Sequence, residues 1–276
     1  MMRYRVGCQL SYQVDGPATF VFNVAPTTND VQRVIAEKLW TEPALEVEDF
    51  TLTEANRFHR IVVPRASAFQ LNYDATVEIS HVIRHPAEMG EGSVDRLPPS
   101  TLIYFSPSRY CQSDKLIRLA QHYFGSLLPG HSRVTAVCNW IYDNVEYLRG
   151  TTDVHTSAFD TATERAGVCR DFAHLGIAIC RALNIPARFL TTYAYNLQPP
   201  DFHACFEAYL GDRWHVFDAT RLAPLTGLVR IGVGRDAADT PFASIFGPVT
   251  MTDMKINCTV EGAPLPAYTT DAVAIS

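Results

Sequence analysis

ERAGVCRDFAHLGIAICRALNIPAR, residues 164–188, reads as a helix with both ends marked in its own composition. Phe172, Ala173, Gly176, Ile179, Cys180 and Leu183 recur at helical spacing and form one apolar stripe. Gly167 breaks the preceding segment, and Asn184–Ile185–Pro186 ends the helix. Cys169 therefore falls at or near the first turn. Backbone N–H groups there have no intrahelical acceptor, and the helix dipole is positive. A thiolate is favoured at such a place, and the same N–H groups can donate to an oxyanion once it attacks a carbonyl. For a single cysteine the plain alternative is a small buried thiol that fills a gap.

Three strands are expected after this helix: Ala187 to Tyr195, His203 to Leu210, and Arg213 to Ala219. Between the last two lies Gly211–Asp212, a pair suited to a two-residue hairpin turn. That turn sets Leu210 opposite Arg213 and carries Cys205 to a place opposite Asp218. His203 then lies two positions from Cys205 on the same face, a diagonal of ~7–8 Å, within imidazole-to-carboxylate reach. A three-residue loop would put Asp218 on the wrong face. If the register holds, Cys169 is the candidate nucleophile, His203 its proton acceptor, and Asp218 the group that orients the imidazole. Taken singly, His203 reads more readily as a strand-end histidine bonded to backbone, and Asp218 as a strand-terminal turn former.

The preceding segments are consistent with an α+β order. Residues 1–95 read as β-rich, with strands at Tyr4–Val14, Thr19–Val24, Arg60–Val63 and Gln70–Val82, and with a short helix expected at Asn29–Trp40. His59, His81 and His85 are scattered and suggest no chemistry. Residues 86–108 are rich in Pro, Gly and Ser and mark a domain boundary. Helical periodicity follows over Leu116–Leu128, capped by Ser113 or Asp114, and over Val134–Val145, capped by Ser132. The expected division is a β-rich domain at 1–95, a core at 107–250 and a C-terminal extension at 251–276.

GVCRDFAHLGIAICRALNIPARF, HACFEAYLGDRWHVFDAT and VRIGVGRDAADT resemble, in that order, blocks of the bacterial transglutaminase-like family, a group often given the name cysteine protease. The likeness spans roughly residues 107–250. It implies a papain-like core of helices packed on an antiparallel sheet, preceded by a bacterial transglutaminase-like β domain. By block, Cys169, His203 and Asp218 fall on the family's Cys, His and Asp. Two departures stand out. Cys205 occupies a position where the family usually has Trp, and Asp218–Ala219–Thr220 replaces the more usual Asp-Pro-Thr. Cys205 and Glu207, which share a face with His203, are candidate pocket-lining or substrate-binding residues. Asp171 reads as a first-turn residue, His174 as structural, and Arg235–Asp236 as a brace for the core. The loop Tyr195–Asp201 could shape an acyl pocket.

Composition narrows the function classes. The chain has 276 residues, 47% apolar and 19% charged, which is ordinary for a globular protein. A net charge of −6 without a Lys/Arg cluster argues against nucleic-acid binding. No stretch approaches the ~18 apolar residues of a membrane span, and a cytoplasmic location is expected. The seven cysteines are odd in number and lack CxxC spacing, so neither a disulfide framework nor a metal site is expected, and no cofactor is implied. Three classes remain open. One is an acyl-transfer enzyme acting on a peptide or amide, as a peptidase, amidase or transglutaminase. The second is a non-catalytic binding module retaining the cleft, and the third a structural protein whose cysteines only pack.

Overall fold

Tyr4, Val6, Cys8, Leu10, Tyr12 and Val14 alternate with polar neighbours, and in the computed structural model all six point inward from one long strand. The structure describes residues 1–262 and 264–276. Seven strands come first: β1 (Met2–Val14), β2 (Ala18–Phe22), β3 (Gln32–Glu42), β4 (Val47–Thr51), β5 (Arg57–Val63), β6 (Ser67–Ile79) and β7 (Val82–Arg84). Short 3-10 turns fill Pro86–Phe105. Next come α1 (Ile117–Phe124), α2 (His131–Asn144), β8 (Glu146–Tyr147), α3 (Ala158–Glu164), β9 (Ala166–Gly167) and α4 (Cys169–Ala182). The chain finishes with β10 (Ala187–Ala194), β11 (His203–Leu210), β12 (Arg213–Phe217), β13 (Leu228–Gly234), β14 (Ala243–Phe246), β15 (Val249–Glu261) and β16 (Ala272–Ala274).

Three four-stranded sheets organise the molecule, in the orders β15-β1-β6-β3, β14-β2-β5-β4 and β12-β11-β10-β13. The first two enclose an aromatic cluster in which Phe20 lies 5.0 Å from Tyr12 and 4.8 Å from Phe69. In the third, α4 covers one face, burying Ala204, Phe206, Ala208 and Leu210 of β11. The opposite face carries Leu190, Cys205, Val216 and Ile231, which join the same apolar cluster as Tyr12, Phe20 and Phe69. The fold is α+β, with the third sheet between helices and a β-sandwich.

Three segments differ from the sequence-based expectation. The short helix expected at Asn29–Trp40 is a strand. β3 pairs with β6 from Gln32↔Ile79 to Glu42↔Gln70, and a register shift near Ile35 absorbs the irregular pattern. Pairing with the free edge of β6 overrides a local composition that suits a helix. Helix α3 was not foreseen, although Ser157 and Asp160 cap it reciprocally, the Ser157 N–H donating to Asp160 Oδ2 at 2.9 Å. The segment expected as a C-terminal extension at 251–276 contributes strands to the β-rich part, since β15 pairs with β1 over almost its whole length and β16 pairs with β7. Boundaries also move by a few residues. Helix α2 starts at His131, preceded by Gly130 at φ +128°, a left-handed turn that the expected Ser132 cap would not make.

α4 approaches β11 closely at Gly176, where an added Cβ would sit 2.5 Å from the Phe206 ring. That ring is fully buried and stacked on Phe217 at 5.7 Å, so it has little room to retreat. A Gly176→Ala variant is expected to lose about 1–3 kcal/mol through overpacking. Thermal or urea unfolding of the two proteins measures this, and an unchanged midpoint would refute the tight contact.

Candidate active site

Cys169 is the first residue of α4, as its flanking sequence suggests. The Asp171 and Phe172 N–H groups donate to Val168 O at 2.9 and 3.1 Å, so the Cys169 and Arg170 N–H groups lie ahead of the helical ladder. Asp171 is wholly buried and closes this turn by accepting from the Val168 N–H at 2.9 Å. Gly167 allows the closure, since a Cβ there would meet Asp171 Cβ at 2.8 Å. The loop before α3 is tied to the same turn. Thr152 Oγ1 donates to Asp171 Oδ2, and Arg170 Nη2 donates to Asp153 O at 2.6 Å. The sulfur thus sits on a start of helix held from three sides.

His203 opens β11 and Asp218 directly follows β12. The hairpin register is Leu210↔Arg213 through Phe206↔Phe217, the one set by a two-residue turn at Gly211–Asp212. Continued one step, it brings the imidazole and carboxylate together, with His203 Nε2 donating to Asp218 Oδ2 at 2.8 Å. Both side chains are almost sealed from solvent, at 1% and 2% exposure. Thr220 completes the carboxylate's shell, its N–H and Oγ1 donating to Oδ1 at 2.8 and 2.6 Å. Cys169 is partly exposed and is the member of the group that meets solvent.

Electrostatics couple the three residues. Burial acts to lower the His203 pKa, but the Asp218 charge and hydrogen bond, reinforced by the Cys169 thiol, outweigh it and raise the value to about 10. Asp218 is driven up by burial and down by His203 and Thr220, and the net direction is down. The ring's other nitrogen, Nδ1, is buried without a hydrogen-bond partner among the described residues.

The other candidates lie elsewhere. Cys205 is 1% exposed and packs in the apolar cluster shared with the β-sandwich, where burial holds its thiol well above the ordinary pKa. Sealed in this way it offers a ligand no surface, contrary to the reading from its place near His203. Glu207 is also inaccessible to a ligand. It is fully buried, accepts from Arg188 Nε at 2.7 Å and from Ser276 Oγ at 2.5 Å, and belongs to an internal ionic network. Alternation put both residues on the face shared with His203, and that face turns into the core beyond the first strand residue. His174 is structural, stacked 5.1 Å from Tyr110 and accepting the Ala237 N–H at 3.1 Å. Asp236 braces the core by accepting from the Tyr110 N–H at 2.9 Å.

Sequence reasoning missed the rim. Tyr147 pairs with Gly167 in the turn leading to Cys169, and Arg149 faces Asp201 at 4.0 Å. Burial raises the Asp201 pKa, against the Phe202 N–H, Arg149 and His203. No periodicity marks these loop and short-strand residues.

Because the folded imidazole is held above its ordinary value of ~6.5, its pairing with Asp218 stabilises fully below that pH and fades as pH rises towards about 10. In Asp218→Asn the lowering effect of burial is left unopposed by the carboxylate. The His203 pKa is then expected to fall by more than about 2 units, which a 15N NMR titration of the imidazole measures; an unmoved midpoint would rule out the carboxylate as the controlling group.

The transglutaminase-like superfamily matches residues 117–219, and the bacterial transglutaminase N-terminal domain matches residues 2–100. A solved structure from Cytophaga hutchinsonii, provisionally described as a cysteine protease, is 46% identical in sequence. It superposes with a TM-score of 0.95 over 100% of this chain and 98% of that one. An uncharacterised protein of Mycobacterium leprae is 28% identical over 282 residues, covering 93% of this chain and 97% of its own. On the fold, the two matched segments and this full-length likeness, the chain belongs to the transglutaminase-like superfamily, its core preceded by a bacterial transglutaminase N-terminal domain.

Proposed function

We propose that this protein is a cysteine-dependent acyl-transfer enzyme, a peptidase or amidase that cleaves an amide through a thioester on Cys169. The reading rests above all on the 2.8 Å contact of His203 with Asp218 beside a helix-start cysteine. Family membership and the Cytophaga relative support it as well.

In the proposed sequence the Cys169 thiolate attacks the amide carbonyl carbon, and the carbonyl π pair moves onto oxygen. Collapse re-forms the carbonyl and breaks the C–N bond, while the His203 imidazolium gives its proton to the departing amine. The product is a thioester. His203, now neutral, takes a proton from water as that water attacks the thioester, releasing a carboxylic acid and restoring the thiolate–imidazolium pair. Asp218 holds the ring in one tautomer and stabilises its charged form without taking the proton. A primary amine in place of water would yield a new amide, which is the transglutaminase outcome. The partial exposure of Cys169 leaves room for either acceptor. A cytoplasmic location belongs to the same proposal and fits seven unpaired cysteines, though no helix long and apolar enough to cross a membrane occurs among the described residues.

Peptide and amide libraries incubated with the wild type are expected to release amine or ammonia, and Cys169→Ala is expected to reduce this by at least about 10³-fold. Cleavage that survives in Cys169→Ala would defeat the mechanism. Adding a primary amine separates the outcomes, because ammonia release accompanied by amine incorporation marks transfer rather than hydrolysis.

A further inference from the structure

The shell that holds Asp218 also places an arginine. Thr220 donates to Asp218 Oδ1 through both its N–H and its hydroxyl, and the Leu222 N–H donates to Thr220 Oγ1 at 3.3 Å. The turn so formed leaves Arg221 in the left-handed region, at φ +55°. A residue with a Cβ takes that conformation at a cost, and strained positions of this kind cluster at ligand sites. The exposed guanidinium is nevertheless held in place. It lies 4.0 Å from the centre of the Tyr142 ring, and its Nη2 donates to Asn139 Oδ1 at 2.7 Å. Both partners are neutral side chains of α2, and among the described residues no carboxylate forms an ion pair with Arg221. Arg221 lines a cavity of about 640 Å³ between α2, the loop after β12 and residues 268–271. That volume falls within the ~300–1,000 Å³ usual for small-ligand sites. Asp218 is in the cavity wall, whereas Cys169 and His203 are not, so the cavity adjoins the candidate site without containing the sulfur. Arg221 is the cation of this wall. Burial and His215, against Asp271, hold the His131 pKa down at about 4, so that ring is neutral. Asp218 has both carboxylate oxygens engaged, and Asp271 is not paired with Arg221.

We propose that Arg221 is a specificity-determining residue: its guanidinium binds a carboxylate of the substrate, and the cavity beside Asp218 houses the part of the substrate that carries it. That the occupant is substrate rests on the acyl-transfer reading. A planar guanidinium settled on an aromatic face presents its donor fork in one orientation, so little freedom is lost when a carboxylate takes two of the N–H groups. An internal carboxylate would have occupied that fork, and the Asn139 amide leaves most of it open. Asp271 repels a second negative charge, so the fitting ligand carries one carboxylate, either an acidic side chain or the free end of a peptide. The role also accounts for an arginine at a left-handed position that Gly or Asn would fill with less strain.

Cys169→Ala cannot form the thioester, so calorimetry on it reads affinity alone. The probes are short N-acetylated, C-terminally amidated peptides with Glu at successive positions, their Gln counterparts, and the Gln peptides with a free C-terminal carboxylate. At least one carboxylate peptide is expected to bind about 10–100-fold more tightly than its neutral counterpart, as for a hydrogen-bonded pair with charge. The Glu and free-ended series tell the two sources of carboxylate apart. Adding Arg221→Gln should abolish the preference, and Arg221→Lys should restore part of it. Arg221→Gly, which suits the left-handed backbone, should abolish it without lowering the melting temperature, a result that a merely structural arginine would not give. In the enzyme with Cys169 intact, the same preference should appear in kcat/KM. A preference in Cys169→Ala with no cleavage by the wild type would sink the acyl-transfer reading and leave carboxylate recognition by Arg221 standing. Equal affinity for charged and neutral peptides, binding of none of them, or a preference that survives Arg221→Gln overturns the inference.

Discussion

The buried contact between the His203 imidazole and the Asp218 carboxylate requires two conditions at once. The hairpin must hold a two-residue turn, because a one-residue slip would turn Asp218 to the other face of β12. The buried charges must also be satisfied, because a lone carboxylate taken out of water carries a penalty of several kcal/mol. Thr220 meets the second condition with two donors on Oδ1, leaving Oδ2 for the imidazole. Once the pair is in place, the carboxylate holds the imidazole pKa well above its ordinary value, and the sulfur at the start of α4 acts in the same direction.

The sheet that carries this pair is stiff because both of its faces are covered. On the helix side, Gly176 lets α4 settle against Phe206, which fixes where the first turn and Cys169 lie relative to β11. On the other side, sheet and β-sandwich are joined by side chains that find backbone partners across the junction. Tyr193 Oη donates to Val24 O at 2.8 Å, and Asn56 Nδ2 donates to Val233 O at 2.7 Å. Glu207, Arg188 and Glu54 continue this junction as an ion network, with the Arg188 guanidinium stacked 4.2 Å from the Trp214 ring. The β-rich region thus acts as a foundation for the strand that bears His203, and Cys205 is part of that foundation.

Legibility followed the range of the deciding interaction. The ends of α4, the Gly211–Asp212 turn and the strands around it rest on contacts a few residues apart, and all were readable from spacing. β3 was misread because its partner, β6, lies some forty residues away in the chain, and its own residues suit a helix well enough. Helix α3 carried a readable cap in Ser157 and Asp160, but its seven residues are too few to show a period. Cys205 and Glu207 were misplaced for a different reason. Strand alternation says which residues share a face, and it is silent on where that face leaves the cleft and enters the core.

Chain order and local chemistry alone settled that a cysteine begins a helix, that a histidine and an aspartate lie within one diagonal of a hairpin, and that helices precede an antiparallel sheet. Those are properties of short segments, governed by periodicity, turn stereochemistry and backbone valence. Folding in three dimensions decided the rest: that the carboxylate is sealed and the sulfur is not, that residues 249–261 return to pair with the first strand, and that Tyr147 pairs with Gly167 in the turn leading to Cys169. Burial and long-range pairing are set by which surfaces exclude water from one another, and no single stretch of chain holds both surfaces.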